Sequence, residues 1–190
     1  MSVPFIADKD FKNIDFTKNA LQKAEYDNCT FTNCNFNNSY LSTISFLDCH
    51  FEDCDLSNSK TKGVIFKDSS FKNCKLLGVL FNDCDQLLLS INFEHCQLDF
   101  ASFYKVKLSK TTILNSSCIS VDFTEAILTE SIFDHCDFKN AIFDRTNLEK
   151  ADFRTAIHYS IQPENNKIKG AKFSKDQIEG LLKHYKINIS

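Results

Sequence analysis

The stretch NCTFTNCNFNNSYL, Asn28 to Leu41, sets a large apolar residue at every fifth position: Phe31, Phe36 and Leu41. DHCDFKNAIFDRTNLEKADF, Asp134 to Phe153, does the same with Phe138, Phe143, Leu148 and Phe153. Stepping outward by five from Phe11 gives an unbroken series to Phe81; the phase then slips by two and resumes from Leu88 to Phe153. Of these 29 positions, 27 are Phe, Leu, Ile or Tyr, and 17 of the 19 Phe lie on the series or its extension to Phe173. Two residues before each centre sits a small residue, as in Ala24, Cys29, Cys34, Ser39, Cys49 and Cys54, and the other three positions are mostly polar. A period of five matches neither an amphipathic helix nor an alternating strand. It matches a chain that turns a corner every five residues with two side chains inward, so that four sides close a 20-residue square coil and the coils stack. Phe11, Phe31, Phe51 and Phe71 then share one side, and Phe103, Phe123 and Phe143 another. At ~4.8 Å per turn, seven to eight coils give a rod roughly 35 Å long.

The expected order is an N-terminal cap (1–10), a first column (11–86), a second column after the phase break (87–160), a terminal loop (161–173) and a C-terminal helix (174–190). In that tail Ser174 and Gln177 have capping-box spacing and Ile178, Leu181, Leu182 and Tyr185 form a helical apolar stripe. The stripe either covers the last coil or, with it, meets a symmetry mate end to end.

Composition narrows the function. The 190 residues carry 25 acids and 22 bases, a net charge of −3, which argues against a protein held to nucleic acid by phosphate contacts. No run approaches the ~18 apolar residues of a membrane span, and MSVPFIADKD lacks the basic and apolar regions of a signal peptide. A reducing cytoplasm is therefore expected for the nine cysteines. Most of them fall in the small inward column and read as core. His95–Cys96 and His135–Cys136 resemble ligand pairs, but each His is expected outward and each Cys inward. No catalytic motif, metal site or cofactor fingerprint stands out, which argues against an enzyme.

The five-residue pattern resembles the pentapeptide-repeat family over residues 11–158. That resemblance implies an all-β solenoid, a right-handed quadrilateral β-helix, here with a short capping helix. The central phase break and the helix-like tail are similar to the Qnr and MfpA branch, whose members resemble a B-DNA rod and bind DNA gyrase or topoisomerase IV, relieving or opposing fluoroquinolone action. The branch also implies a homodimer through the C-terminal end. Typical Qnr proteins carry two loops that interrupt the repeats; here the period runs through both regions, closer to the loop-free MfpA type.

Charge patterning gives candidate partner-binding residues. Between residues 24 and 59 lie Glu25, Asp27, Asp48, Glu52, Asp53 and Asp55 with no Lys or Arg. A second acidic segment, residues 122–152, supplies Asp122, Glu125, Asp134, Asp137 and Asp144. Lys60, Lys62, Lys67, Lys72 and Lys75 lie between them. Negative charge arranged like phosphates would steer a DNA mimic into a basic saddle. The alternatives are an ordinary solvated surface and a scaffold whose flat faces bind another protein.

Overall fold

A computed structural model describes residues 3–188 of the chain, so the outermost positions of the expected cap and tail helix lie outside the described residues. Short parallel strands mark two sides of the coil. In chain order they are β1 (Phe5–Ala7), β2 (Asp10–Lys12), β3 (Glu25–Asp27), β4 (Thr30–Thr32), β5 (Ser45–Leu47), β6 (His50–Glu52) and β7 (Ile65–Lys67). After these come β8 (Ser69–Lys72), β9 (Ile91–Glu94), β10 (Thr112–Leu114), β11 (Ile132–Asp134), β12 (Asp152–Phe153) and β13 (Lys172–Phe173). The first face is one nine-stranded parallel sheet, β2-β4-β6-β8-β9-β10-β11-β12-β13; the fourth face holds a four-stranded sheet, β1-β3-β5-β7. The second and third faces are ladders of single bridges such as Asp55↔Lys75 and Ser102↔Asp122. The whole is a β-solenoid of about eight turns.

The corners explain how a chain with four Gly turns so often. The second residue after nearly every centre has left-handed backbone, as at Asn33 (φ 50°), Asp53 (φ 53°), Asn73 (φ 53°) and Asn115 (φ 49°). Asn and Asp reach this region at lower cost than other residues with a Cβ. The residue before the centre often braces the same corner: one oxygen of Asp55, Asp122 or Asp137 accepts the N–H two residues on, at 2.9, 2.8 and 2.9 Å.

Inside, the rings stack turn upon turn. On the first face Phe11, Phe31, Phe51, Phe71 and Phe93 follow at centroid spacings of 4.7, 4.9, 4.9 and 5.4 Å. On the third face Phe81, Phe103, Phe123 and Phe143 follow at 4.6, 5.2 and 5.1 Å. All nine cysteines are free and buried. The small inward slot does more than save space: Cys54 Sγ donates to the Phe31 carbonyl at 3.2 Å, and Ser131 and Thr146 hydroxyls reach the Leu108 and Phe123 carbonyls at 3.0 and 2.8 Å. The Leu108 and Phe123 carbonyls also accept the Thr111 and Ala126 N–H groups, at 3.4 and 3.0 Å, so the slot hydroxyl fills a second lone pair of each.

The phase slip is an insertion on one face. Partners on the first face step by 20 as far as Phe71 and then by 22, Phe71 pairing with Phe93. The two extra residues lie on the fourth face between Cys84 and Ile91, where Asp85 accepts the N–H groups of Leu87 and Leu88 at 3.0 and 3.3 Å. The fourth-face sheet ends at β7, while the first-face sheet runs through. Leu88, expected as the first centre of the resumed series, is 44% exposed; Leu89 takes the inward place. The widened loop supplies one residue too many for the five-step count to locate the inward side chain.

Both ends differ from expectation. Residues 5–10, expected to belong to a cap, already contain β1, because Ile6 lies five before Phe11 and fills the first inward slot. Residues 161–173, expected as a loop, complete the last coil: β13 pairs with β12 and Phe173 stacks on Phe153 at 5.5 Å. The tail is not one helix over 174–190. It is a broken run of 3-10 turn (Lys175–Gln177), the single α turn α1 (Glu179–Leu182) and 3-10 turn (Lys183–Tyr185). Ser174 makes no side-chain capping bond. Gly180 lies so close to Tyr159 that a Cβ would sit 2.5 Å from its ring, and its carbonyl accepts the Ile161 N–H, so packing on the last coil sets this geometry.

Candidate partner-binding surface

Each outward column stacks one residue per turn, so the coil decides where the acidic candidates fall. Glu25, Asp27 and Asp48 lie on the fourth face and its following corner, Glu52 and Asp53 on the first face and corner, and Asp55 on the second. Asp134 is on the first face, Asp137 on the second, and Asp122, Asp144 and the corner residue Glu125 on the third. The eleven therefore form no single row. They form bands around the rod, with the five lysines between residues 60 and 75 as a cationic band on the next turn.

The two acidic bands differ in their partners. In the C-terminal band Glu125 is 3.5 Å from Lys105 Nζ and 3.1 Å from Arg145 Nη2, and Arg145 is also 3.2 Å from Asp144. Asp134 is 3.1 Å from His135 Nδ1, and Asp137 is 2.8 Å from His158 Nδ1. A hydrogen bond from the Thr155 hydroxyl, helped by the His135 contact, holds the Asp134 carboxyl below the usual range. None of Glu25, Asp27, Asp48, Glu52, Asp53 and Asp55 has an ion-pair partner among the described residues. The nearest bases in the register, Lys72 opposite Glu52 and Lys75 opposite Asp55, lie one turn on without closing an ion pair.

The tail residues split. Leu181 packs against the core and Leu182 is half-buried, whereas Ile178 and Tyr185 are exposed. Between the tail and the last coil lies a cleft of about 660 Å³ lined by Lys139, His158, Tyr159, Glu179, Leu182 and Lys183 among others, a concavity that the repeat pattern does not foretell. His95 and His135 point outward while Cys96 and Cys136 are buried, and no cluster of three or more potential metal ligands occurs among the described residues. No helix among them is long and apolar enough to cross a membrane.

Three exposed apolar side chains escaped the sequence reading. Phe100 (63% exposed) occupies a left-handed corner (φ 61°), with Tyr104 exposed on the same turn and Leu80 on the turn before. The signal was present: Phe5 and Phe100 are the two Phe off the five-residue series, and both are exposed.

Two family models match the sequence, one described as a pentapeptide repeat region (residues 44–119) and one as pentapeptide repeats in eight copies (residues 116–156), together spanning more than half the chain. No curated protein matches it. Among solved structures, trypsin-treated QnrB1, a plasmid-mediated fluoroquinolone resistance protein, is similar at 18% identity with a TM-score of 0.64, covering 98% of this chain and 100% of that one. Full-length QnrB1 is similar at 19% identity and a TM-score of 0.52, covering 96% and 100%. HetL, a pentapeptide-repeat protein involved in heterocyst differentiation regulation in the cyanobacterium Nostoc, gives 14% identity, a TM-score of 0.56 and coverage of 89% and 86%. With its five-residue coil, its left-handed corners and its stacked Phe columns, the chain belongs to the pentapeptide-repeat family.

Proposed function

We propose that this chain is a non-catalytic cytoplasmic rod that binds a protein with a cationic DNA-binding surface, DNA gyrase or topoisomerase IV, as a DNA mimic, and so relieves fluoroquinolone inhibition. The observation that carries the reading is the unpaired acidic collar of Glu25, Asp27, Asp48, Glu52, Asp53 and Asp55 on three faces of a rigid rod. The fold shared with QnrB1 supports it. Negative charge on a stiff, duplex-like body raises the encounter rate with a basic groove and needs no chemistry from the rod. Neither direct nucleic-acid binding nor membrane contact is part of this reading. The homodimer implied by the Qnr resemblance would use Ile178 and Tyr185, the tail residues whose side chains remain outside.

A supercoiling titration with gyrase, with and without a fluoroquinolone, tests the proposal. Relief of drug inhibition, or inhibition of supercoiling at micromolar protein, is expected. Reversal of Glu25, Asp27, Asp48 and Asp137 to Lys should abolish it; an undiminished effect in that variant refutes mimicry. The exposed side chains of Leu80, Phe100 and Tyr104 favour a second reading, a scaffold for a different protein partner. There Phe100→Asp, not charge reversal, would remove binding.

A further inference from the structure

The two ends of the rod are unlike. At the C-terminal end Tyr159, Phe173 and Leu181 cover the last coil. At the N-terminal end β1 and β2 are the outer strands of their sheets, and Ile6, Phe11 and Ile14 are only partly buried beneath them. Open strand edges of this kind readily pair with another chain. The hydrogen bonds show which groups are free. The Lys9 carbonyl accepts the Thr30 N–H at 2.9 Å, and the Asn13 N–H donates to the Thr32 carbonyl at 3.0 Å. Backbone direction alternates along a strand, so Asp10 and Lys12 turn their N–H and C=O groups to the open side. On the fourth face the Pro4 carbonyl and Asp8 N–H are engaged with the second turn, at 2.8 and 3.0 Å, leaving Phe5 and Ala7 turned the same way.

We propose that this edge is an isologous docking surface for a second copy of the chain, with β2 pairing antiparallel to the partner's β2 about a two-fold axis at Phe11. That register sets Asp10 opposite the partner's Lys12 and Lys12 opposite the partner's Asp10. Each is a pair whose backbone groups face one another, so both pairs can close their hydrogen bonds. Phe11 meets the partner's Phe11 at the axis. The sequence Asp10-Phe11-Lys12 is thus self-complementary in charge in the antiparallel sense alone; a parallel pairing in register would set like charges opposite. Within one chain Lys12 Nζ lies 3.4 Å from Asp10 Oδ2, and both side chains are well exposed, at 60% and 64%, so they are free to exchange partners. The same axis exchanges the second and fourth faces and brings Ile6 over the partner's Phe16. Because each side of the coil rises by the same increment, the fourth face of one copy, lower than the first, meets the second face of the other, higher by the same step, at the spacing of the first faces, while the two third faces stand further apart. The contact is closed, and it lies opposite the tail.

Sedimentation equilibrium over a concentration series in an Ile178→Asp background, where the tail contact proposed above is removed, tests the proposal, with circular dichroism as the folding control. The expected result is a dimer that weakens at least roughly tenfold in Asp10→Lys and in Lys12→Asp, each of which sets two like-charge pairs opposite one another. The double exchange D10K/K12D should restore it. A monomer at all concentrations, a dimer indifferent to the single reversals, or failure of the double exchange to rescue overturns it.

Discussion

Truncating Phe123 to alanine should be among the costliest single changes in the rod. Its side chain is fully buried, stacked 5.2 Å from Phe103 and 5.1 Å from Phe143, with the Phe138 ring edge-on at 6.0 Å. Removing a buried phenyl ring costs about 3–5 kcal/mol through lost transfer energy and the cavity left behind. The upper half of that range applies, because a hydrogen-bonded turn on either side limits collapse and because two stacked pairs and one edge-on pair are lost together. Phe11→Ala is the internal control. Phe11 is stacked on one side only, at 4.7 Å from Phe31, and is only partly buried, so its truncation should cost well under half as much. Urea unfolding followed by circular dichroism measures both, with unchanged slope required before midpoints are compared. A Phe123→Ala loss below about 1 kcal/mol, or equal losses at the two sites, would refute the stacked-core reasoning.

Three further outcomes follow from particular residues. Phe100→Asn should stabilise the protein by about 1 kcal/mol, because a bulky residue at φ 61° is replaced by one that adopts this corner readily; a lower urea midpoint would count against the corner rule. Burial pushes the Cys49 and Cys84 thiols up to about 12, so an aromatic disulfide reagent at pH 8 should leave the native thiols unlabelled and modify all nine after denaturation; prompt labelling of the native protein would contradict the closed core. Arg154, 2.7 Å from Asp152, holds that carboxyl below its usual 3.8. The folded value is the depressed one, so the stability it confers is complete above the unfolded pKa and is lost as pH falls through the folded one. Asp152→Asn should therefore flatten the acid limb of the stability curve below about pH 4, and an unchanged limb would show that the pair contributes nothing.

The repeat made most of the fold legible. Spacing alone identified Phe31, Phe51 and Phe71 as stack partners, since a fixed five-residue step leaves each centre one place to go. It could not say that Cys, Ser and Thr in the small slot donate to corner carbonyls, nor that Asp55, Asp122 and Asp137 brace their own corners. Those roles depend on where backbone groups point once the turn is made. The candidate surface was less legible still. Acids close in sequence are carried to different faces by each corner, and the bases that neutralise Glu125, Lys105 and Arg145, come from the turns below and above.

By itself, then, the sequence determined the coil: an inward column of large apolar side chains, an inward column of small ones, and polar residues able to turn left-handed corners. Local periodicity suffices there because each residue's inward or outward direction is set within its own five-residue side. What only the tertiary structure decided lies between turns and at the ends. Leu89 replaces Leu88 in the core, β1 and β13 extend the rod beyond its expected limits, and the tail bends over Tyr159 as short turns. These outcomes hinge on whether a neighbouring turn is present to pack against and to receive hydrogen bonds, and sequence spacing does not encode that neighbour.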